Sequence, residues 1–173
     1  MGVTKLKKKF WIIGIIIIVI VFLMAYTSTV PFLFKANYGI SIPYPIVYQS
    51  YFNEHGRDPS YFDVLIFQED LNSKNLKKFQ CIIGNSKIWT DILNIYINGE
   101  VDEKKQVILE KFPFDIINDG NFVYIQQTGN RMSILIYDTK NRTLYRLSQV
   151  IFLHDELAPY SDYVTVTKEP IFD

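Results

Sequence analysis

The chain has 173 residues, with 18 basic and 18 acidic side chains, a formal net charge of zero and an aromatic content of 16%. Its charge is uneven: residues 1–34 carry four lysines and no acid, which leaves 14 basic against 18 acidic groups, a net −4, for the rest. A mildly acidic body excludes nucleic acid as a partner and an electrostatic grip on anionic lipid.

Lys5, Lys7, Lys8 and Lys9 abut an apolar run from Phe10 to Tyr26 whose only ionisable group is the Tyr26 phenol. At about 1.5 Å per helical residue the run covers roughly 26 Å, a little short of a hydrocarbon core of about 30 Å. Thr27, Ser28, Thr29 and Val30 can lengthen it, and Pro31, which lacks an N–H, is expected to end it. Phe10 and Trp11 on one side and Tyr26 on the other suit the two interfacial belts. The expectation is a basic tail over 1–9, a transmembrane helix over 10–30 that meets the lipid bilayer, a connector over 31–41 and an extracytoplasmic domain over 42–173. The lysines place the N-terminus in the cytoplasm and the domain outside the plasma membrane.

A cleaved signal peptide is the alternative to this signal-anchor. Ala25-Tyr26-Thr27 is the nearest approach to a cleavage site, and threonine is a poor final residue there. No cysteine follows the run for lipoprotein processing, and Leu6 stands where a myristoylation signal requires Ser or Thr.

Roughly 140 residues beyond the anchor suffice for one domain with a core of its own. Cys81 is the sole cysteine, so no internal disulfide assists that core. Its setting, Gln80-Cys81-Ile82-Ile83, predicts a small buried hydrophobe rather than a reactive thiol.

Pro43 and Pro45 force an extended Ile42–Ile46, which continues as an edge strand over Ile46–Tyr51. Asn53 to Ser60 is rich in turn formers, and Tyr61 to Glu69 alternates as a strand. From Asn72 or Ser73 the period changes: Leu76, Phe79 and Ile83 fit a helix closed by Gly84. Ser86 to Gly99 carries two adjoining apolar stripes, Ile88/Ile92/Ile95 and Trp89/Leu93/Tyr96, and predicts a second helix. Val101 to Phe112 reads as a third, partly exposed one. Asn121–Gln127, Met132–Asp138 and Thr143–Gln149 have strand period and hairpin-sized separators, and Tyr163–Thr167 can add a last strand. Strands, helices and then a meander predict an α+β class: one antiparallel-sheet domain with helices packed on one face.

Motifs for chemistry are sparse. A zinc site would need His55 and His154 together with carboxylates such as Glu54, Asp58, Asp155 or Glu156, and no ligand spacing supports one. There is no Gly-x-Ser-x-Gly, and Asn118-Asp119-Gly120-Asn121 reads as a turn rather than a calcium loop. No residue is therefore assigned a catalytic, cofactor-binding or metal role, no cofactor is expected, and the expectation is a protein that is not an enzyme. Tyr44, Tyr48, Tyr51, Phe52, Tyr61 and Phe62 gather around the His55 loop, where aromatics with polar tips suit carbohydrate or protein contacts. The alternative is that half of them face the core from alternating strands.

The lysine-rich anchor, Tyr38-Gly39-Ile40-Ser41-Ile42-Pro43-Tyr44-Pro45, the strand at Val64–Phe67 and a late Ile136-Tyr137-Asp138-Thr139 … Thr143-Leu144-Tyr145 hairpin form a pattern. It resembles a group of short, uncharacterised, membrane-anchored proteins of low-GC Gram-positive bacteria. Arg57-Asp58-Pro59 departs from that group, which is glycine-rich there. The resemblance implies an address at the cell envelope and carries over no functional residue. The functional expectation is a binding or interaction module at the cell surface that meets an unknown protein or cell-wall partner, with toxin immunity as a specific form. The alternatives are a cell-wall-acting hydrolase and an accessory subunit of a membrane complex.

Overall fold

A computed structural model describes residues 11, 13–21, 29–54, 60–84, 86–150 and 157–167. Residues 13–21 are helical, and Ile15 through Val21 are each 45–58% exposed. No helix of the described residues is long and apolar enough to cross a membrane. Residues 10, 12 and 22–28 of the expected 10–30 span lie outside the description.

The first helix bounded at both ends, α1 (Val30–Tyr38), lies where a connector over 31–41 was expected. Pro31 does not terminate a helix there; it begins one. Its fixed φ suits the first helical turn, where its missing N–H costs nothing. Gly39, at φ 63°, closes α1 in the left-handed conformation and donates its N–H to the Lys35 carbonyl. Lys78 Nζ bonds the Tyr38 carbonyl at 2.8 Å, which satisfies another orphan of that helix end. The α1 side chains Phe34 and Tyr38, one helical turn apart, are buried.

Seven strands follow: β1 (Val47–Glu54), β2 (Ser60–Ile66), β3 (Gln80–Cys81), β4 (Phe122–Thr128), β5 (Arg131–Asp138), β6 (Thr143–Val150) and β7 (Val164–Thr167). They form one sheet in the order β1-β2-β6-β5-β4-β3, antiparallel throughout this path. β7 departs from the antiparallel expectation by pairing parallel with β4. It takes the part of the β4 edge, Ile125–Thr128, that the two-residue β3 leaves open.

The helix expected between Asn72 and Gly84 is absent. Asn72 accepts the Lys74 and Asn75 N–H groups and so braces a turn, but the only helical element that follows there is one 3-10 turn, Leu76–Lys78, with Asn75 at its N-cap. The chain is then extended, because Phe79 is buried on one face of the sheet and Ile82 on the other. A helix would have put Leu76, Phe79 and Ile83 on one stripe, whereas Ile83 is 74% exposed. Gly84 adopts the expected left-handed geometry, at φ 61°, at the end of this strand.

Helices α2 (Ser86–Gly99) and α3 (Asp102–Lys111) complete the α+β fold. The buried α2 residues Trp89, Ile92, Leu93, Tyr96 and Ile97 follow helical period and pack on Phe62, Val123, Ile125, Met132, Ile134, Ile136 and Leu147. The opposite face is covered as well, which corrects the one-face expectation. There Phe34, Tyr38, Ile40 and Ile42 pack on Leu65, Tyr124, Leu135, Tyr137 and Leu144. The folded unit thus begins before residue 42.

Candidate functional site

Strand alternation divides the aromatic cluster expected around His55. Tyr51, Phe52 and Phe62 face the α2 side, where Tyr51 and Phe62 stack at 4.8 Å and Phe52 meets Phe62 edge-on at 6.0 Å. Phe62 is core, and Tyr51 and Phe52 pack half-buried against it. Tyr61 and Tyr48 face the α1 side, and Tyr44 stands apart, 66% exposed on the segment before β1. His55, Asp58, His154, Asp155 and Glu156 lie outside the described residues. Among the described residues no three His, Cys, Asp or Glu side chains are grouped to hold a metal ion.

Under α1 the sheet carries a polar layer. The β2–β6 register sets Asp63 directly opposite Arg146, and the two form an ion pair with Asp63 0% and Arg146 8% exposed. Tyr48 donates to Asp63 Oδ1 at 3.2 Å. Partial burial, together with the Asp63 charge, pushes the Tyr48 phenol above its ordinary value. The guanidinium lies 4.6 Å from the Tyr61 ring and 5.7 Å from the Phe34 ring, so α1 helps to roof it. Farther along, Ser148 meets Ser133 at 2.8 Å, and Gln126 bonds the Asn37 carbonyl at 2.9 Å and Thr128 at 3.0 Å. Arg146 Nε and Asn37 Oδ1 are buried without a hydrogen-bond partner. Such a layer locks β2, β6 and α1 in register; its charges are too enclosed to receive a ligand.

A second polar cluster lies on the α2 side. Ser60 Oγ donates to Glu100 Oε1 at 2.7 Å and the Tyr96 hydroxyl approaches the same oxygen at 3.4 Å. Desolvation is the main cause that raises the Glu100 carboxyl above its ordinary 4.5, against the opposing pull of the Ser60 bond and Lys104. A raised carboxyl makes the folded chain bind more protons than the unfolded one, so this contribution is complete below pH 4.5 and is lost as pH rises through the folded value. Glu100→Gln is expected to remove it. Denaturant midpoints at pH 4 and pH 7 check this: the variant gains on the wild type as pH rises, and parallel curves would contradict it.

Cys81 is not the buried hydrophobe that its neighbours suggested. It is exposed on the short edge strand β3, whereas the following Ile82 turns inward at 0% exposure. A maleimide should therefore label the native full-length chain at one site without denaturant. Labelling that requires unfolding would place the thiol inside.

One open groove, of about 420 Å³, lies at the end of the sheet beside the start of β1. It is lined by Ile42, Pro43 and Tyr44 on one wall and by Gln68, Glu69, Asp70, Asn72 and Asn75 on the other. Much of the second wall is committed to holding the groove in shape. Asn72 and Asn75 bond each other's backbone, and Asn75 Nδ2 reaches across to the Ser41 carbonyl. The buried Tyr137 hydroxyl accepts the Leu71 N–H at 3.0 Å and donates to Asp70 Oδ1 at 3.3 Å. Arg142 lies 3.7 Å from Asp70 and bonds the Gln68 carbonyl at 2.6 Å. The side chains of Tyr44, Gln68 and Glu69 make no hydrogen bond or ion pair with the described residues and face solvent.

Of the aromatics expected to form a site, only Tyr44 lines this groove. The loop 68–75 was missed because its Asn residues read as a helix start; the polar run Gln68-Glu69-Asp70 directly after a strand was the available signal. No family model, no curated protein and no solved structure matches the chain.

Proposed function

We propose that the chain is a single-pass membrane protein anchored through residues 10–30, with a cytoplasmic N-terminus, whose α+β domain is a binding module at the outer face of the plasma membrane. The observation that carries this reading is the lysine-flanked, uncharged run, whose helical residues 15–21 leave every side chain about half exposed. A row of isoleucines of this kind is stable where lipid covers it. Binding is favoured over hydrolysis because the groove offers one uncommitted carboxylate, Glu69, while Asp70 is held by Tyr137 and Arg142. Protection against an incoming toxin is a specific form of the role; a toxin-like reading frame beside the gene would support it, and the absence of one would remove it.

The test is a pair of fusions at the C-terminus of the full chain. Alkaline phosphatase, active only outside, should be active, and green fluorescent protein, fluorescent only inside, should be dark. The reverse pattern overturns the topology. The mass of the membrane-extracted chain separates an uncleaved anchor from cleavage near Ala25-Tyr26-Thr27.

A further inference from the structure

The groove beside β1 combines a braced frame with side chains that the fold does not use. Its walls are tied by the Asn75 bond to Ser41, and the 68–71 segment of the second wall is held from behind by the Tyr137 hydroxyl on Leu71 and the Arg142 bond to Gln68. Shape is therefore set before any ligand arrives, which lowers the ordering cost of binding. Within that frame three uncommitted groups face the opening: the Tyr44 phenol, the Gln68 amide and the Glu69 carboxylate.

The geometry points to a saccharide site, in which a sugar ring lies against Tyr44 and its hydroxyls bond Glu69 and Gln68. A sugar ring has a C–H face that packs on an aromatic plane and a rim of hydroxyls that both donate and accept. Carboxylate oxygens accept from such hydroxyls, and an amide supplies one donor group and one acceptor. Tyr44 and Pro43 give the apolar contact, and Tyr44 costs little to immobilise because it has few rotatable bonds. About 420 Å³ falls within the ordinary range for small-molecule sites and accommodates one or two sugar rings.

Competing ligand classes fit less well. No basic side chain lines the groove, and the nearest guanidinium, Arg142, already stands beside Asp70 and bonds the Gln68 carbonyl, so a phosphate or carboxylate ligand would meet Glu69 with no free counter-charge. A wholly apolar ligand would strip water from Glu69 and Gln68 without replacing their hydrogen bonds. A cationic peptide is the remaining rival, and the Arg142 guanidinium beside Asp70 weakens the field it would need. This assignment rests on the reading of the domain as a binding module, but it does not depend on which side of the membrane the domain occupies.

The experiment uses the full chain in lipid nanodiscs and saturation-transfer NMR with chitotriose, cellotriose and maltotriose as probes. At least one trisaccharide should bind with a dissociation constant of about 1 mM or tighter, as expected for a small open site. Tyr44→Ala and Glu69→Gln should each weaken that binding by about 10-fold, and Tyr44→Phe, which keeps the ring, should weaken it less. Both positions are exposed, and unchanged thermal unfolding of the three variants confirms an intact fold. No binding of any of the three sugars, or binding that ignores Tyr44 and Glu69, overturns the assignment. Binding of oligolysine that is lost in Glu69→Gln, with no sugar binding, also overturns it and assigns the groove to a cation. An outward domain that binds no sugar defeats this site alone. A sugar-binding domain that faces the cytoplasm defeats the location alone.

Discussion

Arg146→Leu, with Asp63 left in place, should destabilise the domain by about 3–5 kcal/mol, the cost of stranding a buried charge. The carboxylate has no route to water: Asp63 is 0% exposed, and its remaining bond comes from Tyr48. A typical domain has about 5–15 kcal/mol of stability in all, so this variant should sit near the edge of folding. Urea titration of the full chain in detergent measures it as a lower midpoint at an unchanged slope. The double variant Asp63→Leu/Arg146→Leu should recover most of the loss, because it removes both desolvation costs together. The exposed pair is the contrast. Asp70 and Arg142 side chains are 67% and 51% exposed at 3.7 Å, and Asp70→Asn should cost no more than about 1 kcal/mol. A cost below 1 kcal/mol for Arg146→Leu would mean that the pair does not bear on the fold.

The fate of Asp63 also shows what local pattern conveys. Tyr61 to Glu69 reads as a strand because Phe62, Val64 and Ile66 alternate with Asp63, Leu65 and Phe67. The second set is itself mostly apolar, and Leu65 and Phe67 are buried at 0% and 2%. That is the mark of a sheet covered on both faces, and it was present in the letters. Helix α2 was fully legible, since its burial follows period 3.6 from end to end. The β4–β6 meander was legible because hairpin-sized turns join runs of strand-forming residues, although burial on both faces leaves little alternation within them. What local pattern does not carry is pairing at long range. β7 lies parallel to β4 and Phe79 and Ile82 straddle the sheet only because other segments leave those places open. The groove is of this kind, built from residues 42–44 and 68–75, which meet only in the folded chain.

Deleting residues 1–41, the cut that the expected domain boundary recommends, should abolish folding, whereas deleting 1–28 should preserve it. The difference is α1 and the turn after it. Phe34, Tyr38 and Ile40 are 1%, 6% and 2% exposed, and they cover Leu65, Tyr124, Leu135 and Leu144. Without them that face meets water, and the roof over Arg146 loses the Phe34 ring. Burying each such side chain stabilises by roughly 1.5–3 kcal/mol, so losing three consumes most of a domain's stability. Far-UV circular dichroism and urea titration of the two truncations read the outcome directly. A point variant separates packing from chain length: Phe34→Ala should cost about 3–5 kcal/mol, the usual range for a buried aromatic. In hydrogen exchange its amides over Val30–Tyr38 should lose protection before those of β5. If residues 42–173 fold as stably as the longer piece, α1 is an ornament of the connector. If they do not, the helix over Val30–Tyr38 is part of the domain, and the folded unit starts near residue 29 rather than at residue 42.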